Sequence, residues 1–210
     1  MLKLIKRELI DQAGFSFIAF AGSLSFVLMM LYAVHDLTRE MSVSFVRIGL
    51  ILLSFIPAIC HTFGMVQMQY DYKNRNLAFL VSLGTSRKQI FISKLLAGII
   101  WIAFLAVPLL ITIAVLSSYF YQMLEQAQLR FLFRYCIMSV LLMLSYHGIG
   151  LLVGLTKSRF IAAAAGVLLF VAYPFFLVQV SASESAILIL LCLWAASVTC
   201  ASIRFGKTAF

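Results

Sequence analysis

Apolar residues recur along the chain in long blocks, not in the two-residue alternation that marks a half-buried strand. The blocks cover residues 14–35, 50–67, 95–118, 135–155, 160–178 and 186–202. Each approaches the roughly 20 residues a helix needs to cross a bilayer. Hydrocarbon offers the backbone no water, so a spanning segment must close its own hydrogen bonds, as a helix does. The pattern predicts an all-α integral membrane protein: one transmembrane domain, 1–210, of six transmembrane helices joined mostly by short connections. No sizeable soluble domain is expected.

Two segments depart from this rhythm. Residues 1–11 put Leu2, Ile5 and Leu9 on one helical face and Lys3, Lys6, Arg7 and Asp11 largely on the other. That is the pattern of an interfacial helix lying in the membrane surface, entering the first span through a bend near Ala13 and Gly14. A basic leader that only fixes topology has the same composition. A cleavable signal peptide is not expected, because the basic stretch runs into a full-length span.

The second departure is residues 68–94, between the second and third spans. Leu77, Leu80, Val81 and Leu83 form an apolar helical face too short to span anything. Gly84 is placed to end that helix and Ser86 to cap the next, which opens with Arg87 and Lys88. Such a short apolar helix suits either a groove on a partner protein or a bed of lipid.

Charge orients the array. With the N-terminus inside, Lys3, Lys6, Arg7, Lys73, Arg75, Arg87, Lys88, Lys94, Lys157, Arg159, Arg204 and Lys207 face the cytoplasm, against Arg39, Arg47, Arg130 and Arg134 outside. Basic residues favour the cytoplasmic side, so both termini are expected there, in a multi-pass protein of the cytoplasmic membrane. Composition agrees: 64% hydrophobic and 11% charged residues leave too little polar side chain to cover a globule in water. The net charge of +9 is accounted for by basic residues beside anionic headgroups, so no nucleic-acid partner is called for.

Candidate chemistry is sparse. Cys60, Cys136, Cys192 and Cys200 fall inside spans without ligand spacing and read as packing residues, so no metal site is expected. No Asp or Glu occupies the middle of a span, which disfavours a carrier coupled through an intramembrane carboxylate. His61 follows Arg47 by 14 residues and His147 follows Arg134 by 13, placing both at similar depth, about 20 Å below the outer arginines at 1.5 Å per residue. They read as interhelical hydrogen-bond donors or as a shared polar or metal-binding spot on a translocation path. Gly148, Gly150 and Gly154 in the fourth span, Ala162 to Gly166 in the fifth, and Ala19, Gly22, Ser23 and Ser25 in the first allow close helix approach. Pro57, Pro108 and Pro174 are possible kink positions. No GxxxxGK[ST] phosphate loop or hydrolase pair is present, so neither a catalytic residue nor a bound cofactor is assigned.

Leu77, Leu80 and Leu83, then Gly84-Thr85-Ser86-Arg87-Lys88-Gln89-Ile90, then Lys94, give this loop a specific text. With the six-span topology, it resembles the membrane subunits of ABC-2 type ABC transporters. Their inner loop runs from a charged cluster through a Leu-rich helix to Leu-Pro-x-Ser-Arg-x-x-Ile and a lysine at the third span. Gly84 stands where the family has proline, and Asp71-Tyr72-Lys73-Asn74-Arg75-Asn76 replaces an acidic, Gly-containing cluster. The resemblance implies a permease subunit of an ATP-driven exporter, not itself an enzyme. ATP and Mg would bind two separate cytoplasmic ATPase subunits, and a second membrane subunit would complete a homodimer or heterodimer. The loop helix would be the coupling helix, with Leu77, Leu80, Val81 and Leu83 as apolar anchors and Arg75, Arg87 and Lys88 as flanking charges. An uncharged bundle interior favours an amphiphilic substrate such as an antimicrobial peptide, lipid or drug. A haem-export subunit of similar architecture, and the substrate-binding membrane component of a vitamin importer, are the competing readings.

Overall fold

The computed structural model describes residues 2–36, 55–73, 76–82, 84–119, 126–156 and 185–207, with 164 and 168. These form six helices: α1 (Leu2–Asp36), α2 (Phe55–Lys73), α3 (Asn76–Ser82), α4 (Arg87–Tyr119), α5 (Gln126–Gly154) and α6 (Ser185–Lys207). The expected fifth span, 160–178, lies outside the described residues apart from 164 and 168. Three helical stretches are long and apolar enough to cross a membrane: Arg87–Pro108, Ile137–Gly154 and Ser185–Lys207.

The helices run past the apolar blocks because hydropathy marks only the part that sits in hydrocarbon, while backbone hydrogen bonding continues into the polar boundary. α1 shows this most clearly. It is one 35-residue helix, so no break separates the expected surface helix from the first span at Ala13 and Gly14. Pro108 is accommodated inside α4.

Polar side chains lie buried within an otherwise apolar interior, and large apolar side chains cover the outside. Glu8, Ser16, His61, Gln67, Ser93, Lys94, Ser139, Ser145 and His147 are buried, whereas Phe17, Ile18, Leu188 and Ile189 are 65%, 75%, 66% and 53% exposed. A water-soluble fold would not leave so many large apolar side chains on the outside of its helices. In a membrane this distribution is the stable one, because polar groups must find partners within the protein and apolar ones rest on lipid.

Neighbouring contacts fix helix directions. Glu8 meets Lys94 and, further along both chains, Phe20 stacks on Phe104 at 4.0 Å, so α1 and α4 run parallel. α5 lies at the centre, against α2, α4 and α6. It is antiparallel to α4: Ile102 and Leu105 pack with Met143, while Ile90 and Phe91 pack with Leu151. It is parallel to α2 and α6. Gly64 faces His147 and Gly150, with Met65 and Met68 at Gly154, and Ala186 and Leu190 join Met138 and Leu142 at the end opposite Phe205 and Leu151.

The α2–α5 contact is backbone on backbone. A Cβ on Gly64 would lie 2.5 Å from His147 O, one on Gly154 2.6 Å from Met65 O, and one on Gly150 would strike His61 O. Gly148 instead faces Ser197 and Trp194 of α6, and Gly22 of α1 has open space around it. The fourth-span glycines thus serve two different neighbours.

Candidate functional site

The loop between α2 and α4 is built from local signals that the structure realises. α3 ends at Gly84, whose φ of 81° is the left-handed conformation a glycine adopts without Cβ strain. Gly84 N donates to Val81 O at 3.0 Å and Thr85 N to Leu80 O at 3.2 Å, satisfying the last carbonyls of the helix. Two residues later Ser86 and Gln89 cap α4 reciprocally. Gln89 N donates to Ser86 Oγ at 3.3 Å and Ser86 N to Gln89 Oε1 at 3.2 Å.

The expected coupling anchors do not share one surface. Leu80 is buried in the chain's own core with Met68, Ile90, Phe91, Leu151, Ala201 and Phe205. Val81 is 39% exposed, and Phe79, which the sequence reading passed over, is 63% exposed. In a helix of seven residues the apolar pattern is too short to set which side turns inward; the packing of α2, α4, α5 and α6 sets it. Leu77 lies in α3 with its side chain outside the described residues, as are Arg75 and Leu83 altogether. Lys88 is exposed. Arg87 is half-buried and donates through Nη1 to Gly206 O at 3.1 Å, so it ties the start of α4 to a terminal carbonyl of α6.

The histidines sit on facing helices, His61 on α2 and His147 on α5, both buried. His147 belongs to a polar hub that joins four helices. Lys94 Nζ of α4 lies 3.0 Å from Glu8 Oε2 of α1 and donates at 3.0 Å to Gln67 O of α2. The Gln67 amide returns the bond, with Nε2 donating to Lys94 O at 3.2 Å and to Gln12 Oε1 at 3.1 Å. Because the Lys94 carbonyl only accepts, Gln67 Oε1 must face His147. The 3.1 Å contact is therefore His147 Nε2–H donating. Gly98 makes room for the ring: a Cβ there would overlap the imidazole. Phe63 flanks it at 6.0 Å between centroids.

Sequence reading missed Glu8, Gln12 and Gln67 and took Lys94 for a topology marker. A signal was present. Lys94 is flanked by Ile90, Phe91, Leu95 and Leu96, and a lysine in such text needs a counter-ion; of the seven acidic residues only Glu8, Asp11 and Asp71 fall on the cytoplasmic side of the expected topology. Cys60 is buried as expected, but Cys192 and Cys200 are exposed on the outer face of α6, so they are not packing residues; the side chain of Cys136 lies outside the described residues. Among the described residues, no group of three His, Cys, Asp or Glu side chains is placed to hold a metal ion. No family model, curated protein or solved structure matches the chain.

Proposed function

We propose that the chain is the membrane-spanning subunit of an ABC exporter of the ABC-2 type. It would pair with a second membrane subunit and couple to two cytoplasmic ATPase subunits that carry ATP and Mg. An amphiphile such as a peptide, lipid or drug is the proposed cargo. The observation that carries the reading is α3. A short helix between two long ones is rooted by Leu80 in the core and turns Phe79 and Val81 outward, with Lys88 beyond the turn. That is the form of a lever: one face is anchored in the core cluster through Leu80, and the other is available to a protein groove.

Helix directions support the six-span topology. α5 and α6 run parallel, so the chain between them has to recross the bundle once, as a fifth span at 160–178 would. Reporter fusions after Gly84 should then read cytoplasmic and fusions after Glu40 external.

The decisive experiment purifies the tagged full-length chain from its own membranes in mild detergent and assays Mg-ATP hydrolysis. An ATPase should co-purify with the wild type and be lost from the double variant Phe79→Asp/Val81→Asp, whose abundance stays normal because both side chains are exposed. Leu80→Asp is not a clean probe, since it places a charge in the core. Equal retention of an ATPase by the double variant, or hydrolysis by the chain alone, would overturn the assignment.

A further inference from the structure

We infer that α4 and α6 together hold one anionic phospholipid at the end of the bundle where Arg87 meets Gly206, with Lys88 and Lys207 on its phosphate and an apolar ladder of each helix along its tails. The site is independent of the exporter reading, since it needs no assumption about cargo or energy source.

α4 and α6 run antiparallel, one leaving this end of the bundle as the other arrives. They are joined there: Arg87 Nη1 donates to Gly206 O at 3.1 Å, and the rings of Phe91 and Phe205 lie 5.7 Å apart between centroids. Lys88 and Lys207 adjoin the hydrogen-bonded pair in sequence, and both are exposed. From Lys88, steps of four residues along α4 reach Ile92, which is half-buried, and then Leu96 and Ile100, which are 37% and 47% exposed. From Lys207, the same steps back along α6 reach Ile203, 54% exposed, and Thr199, also exposed. Residues four apart share a helix face, so each lysine heads a ladder that turns away from the core and runs into the membrane. Thr199 does not interrupt its ladder, because its hydroxyl donates to Ala195 O at 2.7 Å.

The two stretches Arg87–Pro108 and Ser185–Lys207, each long and apolar enough to cross a membrane, begin and end at these charges. A lysine at the end of a span carries its ammonium to headgroup depth while its stem stays on apolar surface. Charge then selects the lipid. Neither α4 nor α6 contains an Asp or Glu, and the exposed Arg204 adds to the positive field of Lys88 and Lys207. Arg87 occupies the Gly206 carbonyl, an acceptor at the negative end of the α6 dipole that would otherwise repel a phosphate. A zwitterionic headgroup would bring its own ammonium against these lysines, whereas a net anionic one brings only attraction. The two ladders match the two acyl chains of a phospholipid, and a free phosphate would leave them bare.

The test strips lipid from the full-length chain in mild detergent and titrates it with dioleoylphosphatidylglycerol or dioleoylphosphatidylcholine, with bound lipid counted by native mass spectrometry. Wild type should bind one phosphatidylglycerol roughly thirtyfold more tightly than phosphatidylcholine, as two lysine contacts imply, and lose that preference as salt is raised. Lys88→Gln/Lys207→Gln should bring the two lipids level. Lys3→Gln/Lys6→Gln removes the same charge from exposed positions of α1 and should keep the preference. All four residues are exposed, so both variants should show an unchanged unfolding midpoint without lipid. Equal binding of the two lipids by wild type would overturn the site. Equal loss of preference in both variants would do so too, since it would reveal a diffuse basic field and not one site. Release of the lipid by excess inorganic phosphate would also overturn it, because the occupant would then be held by its phosphate alone.

Discussion

Two seams of the bundle solve the same problem with opposite chemistry. Along α2 and α5, Gly64, Gly150 and Gly154 remove side chains until the two backbones touch. Along α1 and α4 the helices are bridged by the Glu8–Lys94 pair, and beside it Gln12 of α1 accepts from Gln67 of α2. Within a membrane there is no hydrophobic force pressing helices together, so packing contact and polar bonds are what remain to hold them. The glycine seam gains from many weak contacts that vanish gradually as the helices part. The polar seam depends on few strong ones that are either made or lost.

The largest test of this contrast is Glu8→Leu, which strands the Lys94 ammonium. Breaking a buried pair should cost about 3–5 kcal/mol, read as a lowered midpoint of thermal unfolding in detergent. Adding Lys94→Met should recover most of that loss, since a matched apolar pair has no charge to desolvate. Failure of the second change to rescue the first would mean that the pair holds the fold by geometry and not by charge balance.

On the other seam, Gly150→Ala should cost about 1–3 kcal/mol or somewhat more, because the new methyl meets the His61 carbonyl and the helix must move. Gly22→Ala in α1, with nothing within 4 Å, is the control and should be neutral or slightly stabilising. Equal effects at the two glycines would remove the distinction between the seams.

Smaller still is Gly84→Ala, where the left-handed φ of 81° should cost about 1–2 kcal/mol by the same assay, without a clash. Smallest is Phe79→Ser. Its side chain is outside the core, so the unfolding midpoint should shift by less than about 0.5 kcal/mol, while co-purification of an ATPase falls.

What the sequence determined is what neighbours within a turn or two encode. The apolar blocks imply helices, and the described residues are helical apart from 84–86 and 155–156. Gly84, Ser86 and Gln89 set the end of α3 and the start of α4 through bonds that span three to five residues. What only the tertiary structure decided is which side chains meet across the bundle. Glu8 and Lys94 are 86 residues apart, and their pairing depends on the depth and rotation of two helices that no local pattern records. Leu80 and Phe79 are adjacent and equally apolar, yet one lies in the core and the other faces out. Seven residues carry too little periodicity to choose between them, so the choice falls to the core cluster that Leu80 joins.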